Sequence, residues 1–192
     1  MLSFWNREAI EVEVVNMLQD HFGCVTYPVD VDFLISEMGI ELLPYPEDHR
    51  DWKRHISLNA SSDAFTLCTP NFEYASIRFN AEAYSETRIK FSKAHELGHI
   101  YLEHLDVNDA RAEDEADYFA GYLLAPHPLI GHYSLESSIS KTFDIGCWCA
   151  DIAQRQYSDR CRMGGPLKEH EERILSIARI HVGGGEYLGP EK

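Results

Sequence analysis

The sequence predicts an α+β fold: a helical bundle built around one central helix, with a small antiparallel β-sheet attached. Three observations lead there. Apolar residues recur at helical spacing on both sides of the middle of the chain, residues 56–80 carry short alternating runs instead, and no internal repeat or low-complexity block interrupts either texture. A chain of 192 residues with 44% hydrophobic and 11% aromatic residues can bury one sizeable core. One domain over 1–192 is therefore expected.

In chain order, Trp5 to His21 is expected to be helical, with Ala9, Val12, Val15 and Leu18 or Gln19 on one stripe and Gly23 as its stop. A second helix follows Pro28, through Val29, Phe33, Leu34 and Met38, and ends at Gly39. Ile40 to Leu43 predicts a short strand ahead of Pro44 and Pro46, and the charged stretch Glu47 to Arg54 predicts a loop. Three β-type runs follow: Ile56-Ser57-Leu58 and Ala75 to Phe79 alternate, and Ala64 to Cys68 is rich in β-prone residues. Asn59, Ser61, Ser62, Pro70 and Asn71 supply turns between them. Two or three antiparallel strands are expected, and one must be an edge to which an extended peptide can add.

The next helix is expected to start at Ser85 or Thr87 and to end by about Asp106. It contains His95-Glu96-Leu97-Gly98-His99. Positions four apart share one helix face, so both imidazoles can address one metal ion, with Glu96 close enough to reach a water beside it. Phe91, Ala94, Gly98 and Leu102 lie on the same side, which turns the histidines inward. Two inward histidines one turn apart need a partner, and Gly98 allows another element to come close.

Asn108 or Asp109 is expected to cap a further helix, Ala110 to Leu124, stopped before Pro126. Its apolar face runs through Ala116, Phe119, Ala120, Leu123 and Leu124, and extends back to Glu113 and Asp117. Glu113 is therefore the expected third metal ligand, with Asp117 behind it to accept an imidazole N–H. Glu115 lies about 200° round the helix from Glu113, on the side of Tyr118 and Tyr122. His104, five residues after His99, cannot reach the same metal from an unbroken helix. It is expected to be structural, or to stand behind a ligand.

After Pro126, Ser134 to Phe143 and Cys147 to Arg160 predict two helices around Asp144-Ile145-Gly146. A helix-turn-helix DNA reader has this outline. Its second helix, however, sets Arg155 and Arg160 against Asp151 and Asp159. Leu167 to Ile180 predicts one more helix. The expected layout is a core over about 10–126, a helical cap over 127–182 and a flexible tail over 183–192.

A net charge of −15 argues against a nucleic-acid surface and suits a basic protein partner. No apolar run approaches the ~18 residues of a membrane span. Glu8, Glu11 and Glu13 spoil any signal-peptide reading of the N-terminus, so a cytoplasmic protein is expected. The cysteines, five in number, form no CxxC pair and are expected to be reduced thiols.

Arg88-x-x-Phe91-x-x-Ala94-His95-Glu96-Leu97-Gly98-His99, followed by Glu113-x-Glu115-Ala116-Asp117-x-Phe119-Ala120-x-x-Leu123-Leu124-Ala125-Pro126, resembles the ImmA/IrrE family of metallopeptidases. Pro28-Val29-Asp30-Val31, Gly39-Ile40 and Asn80 also resemble it. The resemblance implies a zincin-like fold with a gluzincin-like Zn2+ site: His95, His99 and Glu113 as ligands and Glu96 as the catalytic residue. It also implies a protein substrate, a helix-turn-helix transcriptional repressor of a bacterial mobile element or stress response. Asp117 stands where Asn is common in that family, and Ala125 where Met is common. His55, His104, Tyr118 and Tyr122 are candidate oxyanion donors. The rival expectation is a non-catalytic regulator that grips a partner and uses zinc only to hold its fold. Glu96 and the absence of nearby cysteine thiolates weigh against it.

Overall fold

The computed structural model describes residues 2–71, 73–83, 85–104, 109–136, 138–183 and 186–189. In chain order its elements are α1 Phe4–Phe22, β1 Val25–Tyr27, α2 Val31–Glu37, β2 Glu41–Pro44, α3 Trp52–Ala60, β3 Ala64–Cys68, β4 Ala75–Phe79, α4 Glu86–Tyr101, α5 Ala110–Leu124, α6 His127–His132, α7 Ile139–Phe143, α8 Cys147–Met163, α9 Glu169–Ile177, β5 Ala178–Gly183 and β6 Glu186–Leu188. They fall into two compact units, Val31–Ala120 and Leu2–Asp30 with Gly121–Lys192. No helix among the described residues is long and apolar enough to cross a membrane.

The first unit holds a three-stranded sheet of order β2-β4-β3. β2 runs parallel to β4, with Leu42 opposite Ile77, and β3 runs antiparallel to it, with Thr66 opposite Ile77. α4 packs on this sheet and α2 packs on α4. Lys93 of α4 is buried. Its Nζ lies 2.8 Å from both carboxylate oxygens of Asp32 and 4.0 Å above the Phe79 ring. One charge thus ties α4 to the start of α2 and to the end of β4. Fully enclosed Ile77, Ala94, Leu97, Ala116, Phe119 and Ala120 form the apolar interior.

One expected strand is absent here. Ile56-Ser57-Leu58 lies within α3, and the sheet's third strand is β2. Asp51 accepts the Lys53 N–H at 2.8 Å and so starts a helix inside the expected loop. Arg54 is drawn into the protein by the Pro46 carbonyl at 2.8 Å and Glu82 at 2.6 Å. Three alternating residues are too few to outweigh a cap and a buried guanidinium.

The second unit contains α1, β1, α6 to α9, β5 and β6, with a sheet of order β1-β5-β6. β1 and β5 are parallel, Val25 facing Ala178 and Tyr27 facing Ile180. Neither was expected as a strand, and the pairing explains why α9 stops at Ile177 rather than at Ile180. Within the expected flexible tail, Glu186–Leu188 pairs with β5, while residues 184–185 and 190–192 lie outside the described residues. The buried side of α1 is Ile10, Val14, Val15, Met17 and Leu18, together with Glu11. The stripe is rotated from the expected one, leaving Ala9 exposed. Glu11 is admitted to the interior because His127 Nε2 and His170 Nε2 reach its two oxygens at 3.2 and 2.9 Å.

Candidate metal centre

The centre is built from two helices of the first unit. α4 begins at Ser85, whose hydroxyl accepts the Arg88 N–H at 3.2 Å. It carries His95, Glu96 and His99 on consecutive turns. α5 carries Glu113 and Asp117. What brings the two helices together is Gly98: a Cβ there would lie 3.0 Å from Cδ1 and 3.2 Å from Cβ and Cγ of Phe119. A side chain at 98 would require Phe119 of α5 to give by a few tenths of an ångström.

His95 Nε2 and His99 Nε2 stand 3.0 Å apart. Glu113 closes a triangle with them, Oε2 at 3.4 Å from the first and Oε1 at 3.3 Å from the second. Among the described residues His95, His99 and Glu113 are the group whose donor atoms converge in this way. Tetrahedral zinc with bonds of about 2.0–2.1 Å separates its ligands by roughly 3.3 Å, so the triangle fits the ion.

The far sides of both rings support the same reading. His95 Nδ1 lies 2.8 Å from Asp117 Oδ1, and an N–H donated there leaves Nε2 as a lone pair. His99 Nδ1 lies 3.1 Å from His104 Nδ1, and His104 Nε2 lies 3.2 Å from Glu115 Oε2. Read as donors in sequence, these contacts also leave His99 Nε2 as a lone pair. Two lone pairs and a carboxylate facing one point repel each other unless a cation lies between them. The donor set is that of an open catalytic zinc site, and it includes no thiolate.

His104 reaches His99 because α4 ends early. Glu103 adopts a left-handed φ of 55°. Its N–H bonds to the Ile100 carbonyl at 3.1 Å, while the His104 N–H bonds to the His99 carbonyl at 2.9 Å. This is a Schellman closure with Glu where Gly is usual. It folds His104 back under His99, whereas an unbroken helix would have carried it away. The expected end near Asp106 and the expected cap Asn108 lie outside the described residues. Asp109 does accept the Arg111 N–H, at 2.9 Å.

Electrostatics distinguish the two imidazoles. Burial, with the neighbouring His95 and His104, pushes His99 down to about 4, so it is neutral and free to ligate at ordinary pH. Burial also acts against a proton on His95. There the Asp117 hydrogen bond and the charges of Glu96, Asp117 and Glu113 outweigh it and raise the ring's pKa. Glu96 is 9% exposed, and burial raises its carboxyl above the usual range against the pull of a hydrogen bond from Thr66. The Glu113 and Asp117 side chains are each 48% exposed. They turn towards α4 yet stay open to solvent, where the sequence pattern placed them inside.

Of the candidate oxyanion donors, His55 is exposed on α3 and Tyr122 meets His127 edge to face, with ring centroids 5.4 Å apart. His104 lies behind His99, and Tyr118 is half-buried on α5. Two contributors were missed by sequence reasoning: Glu115, which holds His104, and Thr66, whose Oγ1 lies 2.8 Å from Glu96 Oε2. A threonine in a strand carries no signal of such a role.

Compared with known proteins, residues 41–143 match the family model described as IrrE N-terminal-like domain, more than half of the chain. No curated protein matches it.

Proposed function

This chain belongs to the IrrE N-terminal-like peptidase family, and from that premise we propose that its zinc-dependent peptidase activity is directed at a DNA-binding regulatory protein, a helix-turn-helix repressor. The observation that carries the peptidase chemistry is the convergence of His95, His99 and Glu113 next to Glu96. In this reading those three side chains hold the metal and Glu96 is the general base. Bound there, zinc supplies Lewis acidity, polarising a carbonyl and making a water easier to deprotonate.

The protein's own groups do the rest. Asp117 and His104 keep the two rings turned to the metal. Glu96 takes a proton from the attacking water on the carboxylate oxygen that Thr66 leaves open. It then passes that proton to the amine nitrogen as the C–N bond breaks. β3 lies at the edge of its sheet and touches Glu96 through Thr66. An extended substrate segment added to that edge would run past the base. A net charge of −15 supports a basic partner, as the nucleic-acid-binding face of a repressor would be.

The test compares new protein N-termini in cells expressing the wild-type chain or Glu96→Ala, alongside the zinc content of both proteins. The reading expects a new terminus inside a DNA-binding regulator with wild type alone, and zinc retained by both. A cleaved protein of another kind would remove the repressor. Equal zinc with no difference in termini would move the protein to the non-catalytic class.

A further inference from the structure

Glu96 has three rotatable side-chain bonds, and α4 fixes only its backbone. A general base must nevertheless hold one oxygen ready for a water. Across from α4, β3 alternates its side chains, so that Ala64 and Thr66 share one face while Phe65 and Leu67 occupy the other. Ala64 is buried on that shared face. Thr66 Oγ1 lies 2.8 Å from Glu96 Oε2 and 3.4 Å from the Glu96 carbonyl oxygen. The hydroxyl is therefore seated against one particular residue of the helix.

We propose that Thr66 is a positioning residue for Glu96: its hydroxyl donates to Oε2, fixes the carboxylate's rotamer, and leaves Oε1 to take the proton from water. This deepens the peptidase reading above and rests on it. Thr66 suits the task because a β-branched side chain on a strand has few χ1 choices, so the direction of the hydroxyl is set by β3 itself. β2 and β3 are the two edges of this sheet, and β3 is the one that holds the base, so a substrate added to that edge would lie on the same strand. Pairing with a substrate and aiming the base would then share one rigid element.

The test uses the full chain carrying Thr66→Val, which keeps the shape and removes the donor, and Thr66→Ser, which keeps the donor. Thr66→Ala is measured in parallel should the valine variant fail to fold. The probe is a fluorogenic peptide spanning the scissile bond found in the N-terminus comparison. With one zinc per chain retained, Thr66→Val is expected to lower kcat about tenfold while KM stays within about twofold, a fraction of what a general base contributes. Thr66→Ser is expected to recover most of the loss.

A second readout needs neither zinc nor turnover. Urea midpoints of the metal-free wild type, Thr66→Val, Glu96→Ala and the double variant should be non-additive, the second substitution costing less once the first is made. Unchanged kcat in the valine variant, a serine variant no better than valine, or additive midpoints would each overturn the proposal. Should the wild-type chain cleave nothing, the peptidase reading fails, and the midpoints still decide whether Thr66 and Glu96 are coupled.

Discussion

Gly98→Ala should weaken both the fold and the metal site, although alanine is the better helix former. The methyl would stand 3.0 Å from Phe119 Cδ1 and 3.2 Å from Cβ and Cγ. Ordinary carbon contacts lie at about 3.5–4.0 Å, so the helices must part by roughly 0.5 Å. Phe119 is fully buried, so its ring gives way only by displacing its neighbours. Overpacking of this kind costs about 1–3 kcal/mol, against a helix-propensity gain of about 1 kcal/mol. The net expectation is a loss of up to about 2 kcal/mol in the metal-free protein. α5 also carries Asp117, two residues before Phe119. The same displacement would stretch its 2.8 Å contact to His95 to the outer limit of a hydrogen bond. Zinc affinity should fall about tenfold, as it does when a ligand's supporting contact is lost. Urea denaturation of metal-free protein and zinc titration against a competing chelator measure the two effects. An alanine variant that is more stable, with zinc affinity unchanged, would refute the view that Gly98 sets the spacing of α4 and α5.

Asp117→Ala should lower zinc affinity by about 10- to 100-fold, and Asp117→Asn by much less, because the amide oxygen can still accept from His95; chelator competition distinguishes the two. Glu103→Gly should stabilise the metal-free protein by about 0.5–1 kcal/mol, since glycine adopts the left-handed φ at lower cost, offset in part by its unfolded-state entropy; urea midpoints read this directly. The last concerns Glu171, where burial alone would raise the carboxyl, but the bonds from Arg160 and the Lys168 N–H hold it below the usual range. Its stabilisation is therefore present above the unfolded-state pKa and is lost as pH falls through the lower folded value. Glu171→Gln should lower stability at neutral pH and flatten the decline towards about pH 3, followed by urea midpoints across that range.

Periodicity worked where one face of an element decides its burial. α5 was legible from end to end because Ala116, Phe119, Ala120, Leu123 and Leu124 repeat at helical spacing and Pro126 follows. β4 was legible from its alternation and β3 from its β-prone residues between turn-forming ones. The convergence of His95, His99 and Glu113 was legible because each occupies a fixed angle on a regular helix, although Glu113 is half exposed rather than inside. What failed was decided by contacts distant in sequence or by unusual residues at ordinary positions. β1 and β5 pair across more than a hundred residues of chain; β1 is three residues long, and β5 follows α9 without a break, so that its start reads as more helix. The end of α4 was hidden because Glu103, not glycine, takes the left-handed turn. His104 could therefore be read as a residue behind a ligand but not matched to His99, and Glu115 was read only as lying on the far side of its helix from Glu113. The buried side of α1 was misplaced because Glu11 is an interior residue only once His127 and His170 are beside it.

The central claim is an open zinc site made of two imidazoles and one carboxylate. X-ray absorption at the zinc edge of the purified full chain tests it most directly. The account predicts two imidazole nitrogens with oxygen donors at about 2.0–2.1 Å and no sulfur. A sulfur shell at about 2.3 Å would mean that the metal is held by cysteine thiolates, as in a closed structural site, and would contradict the account.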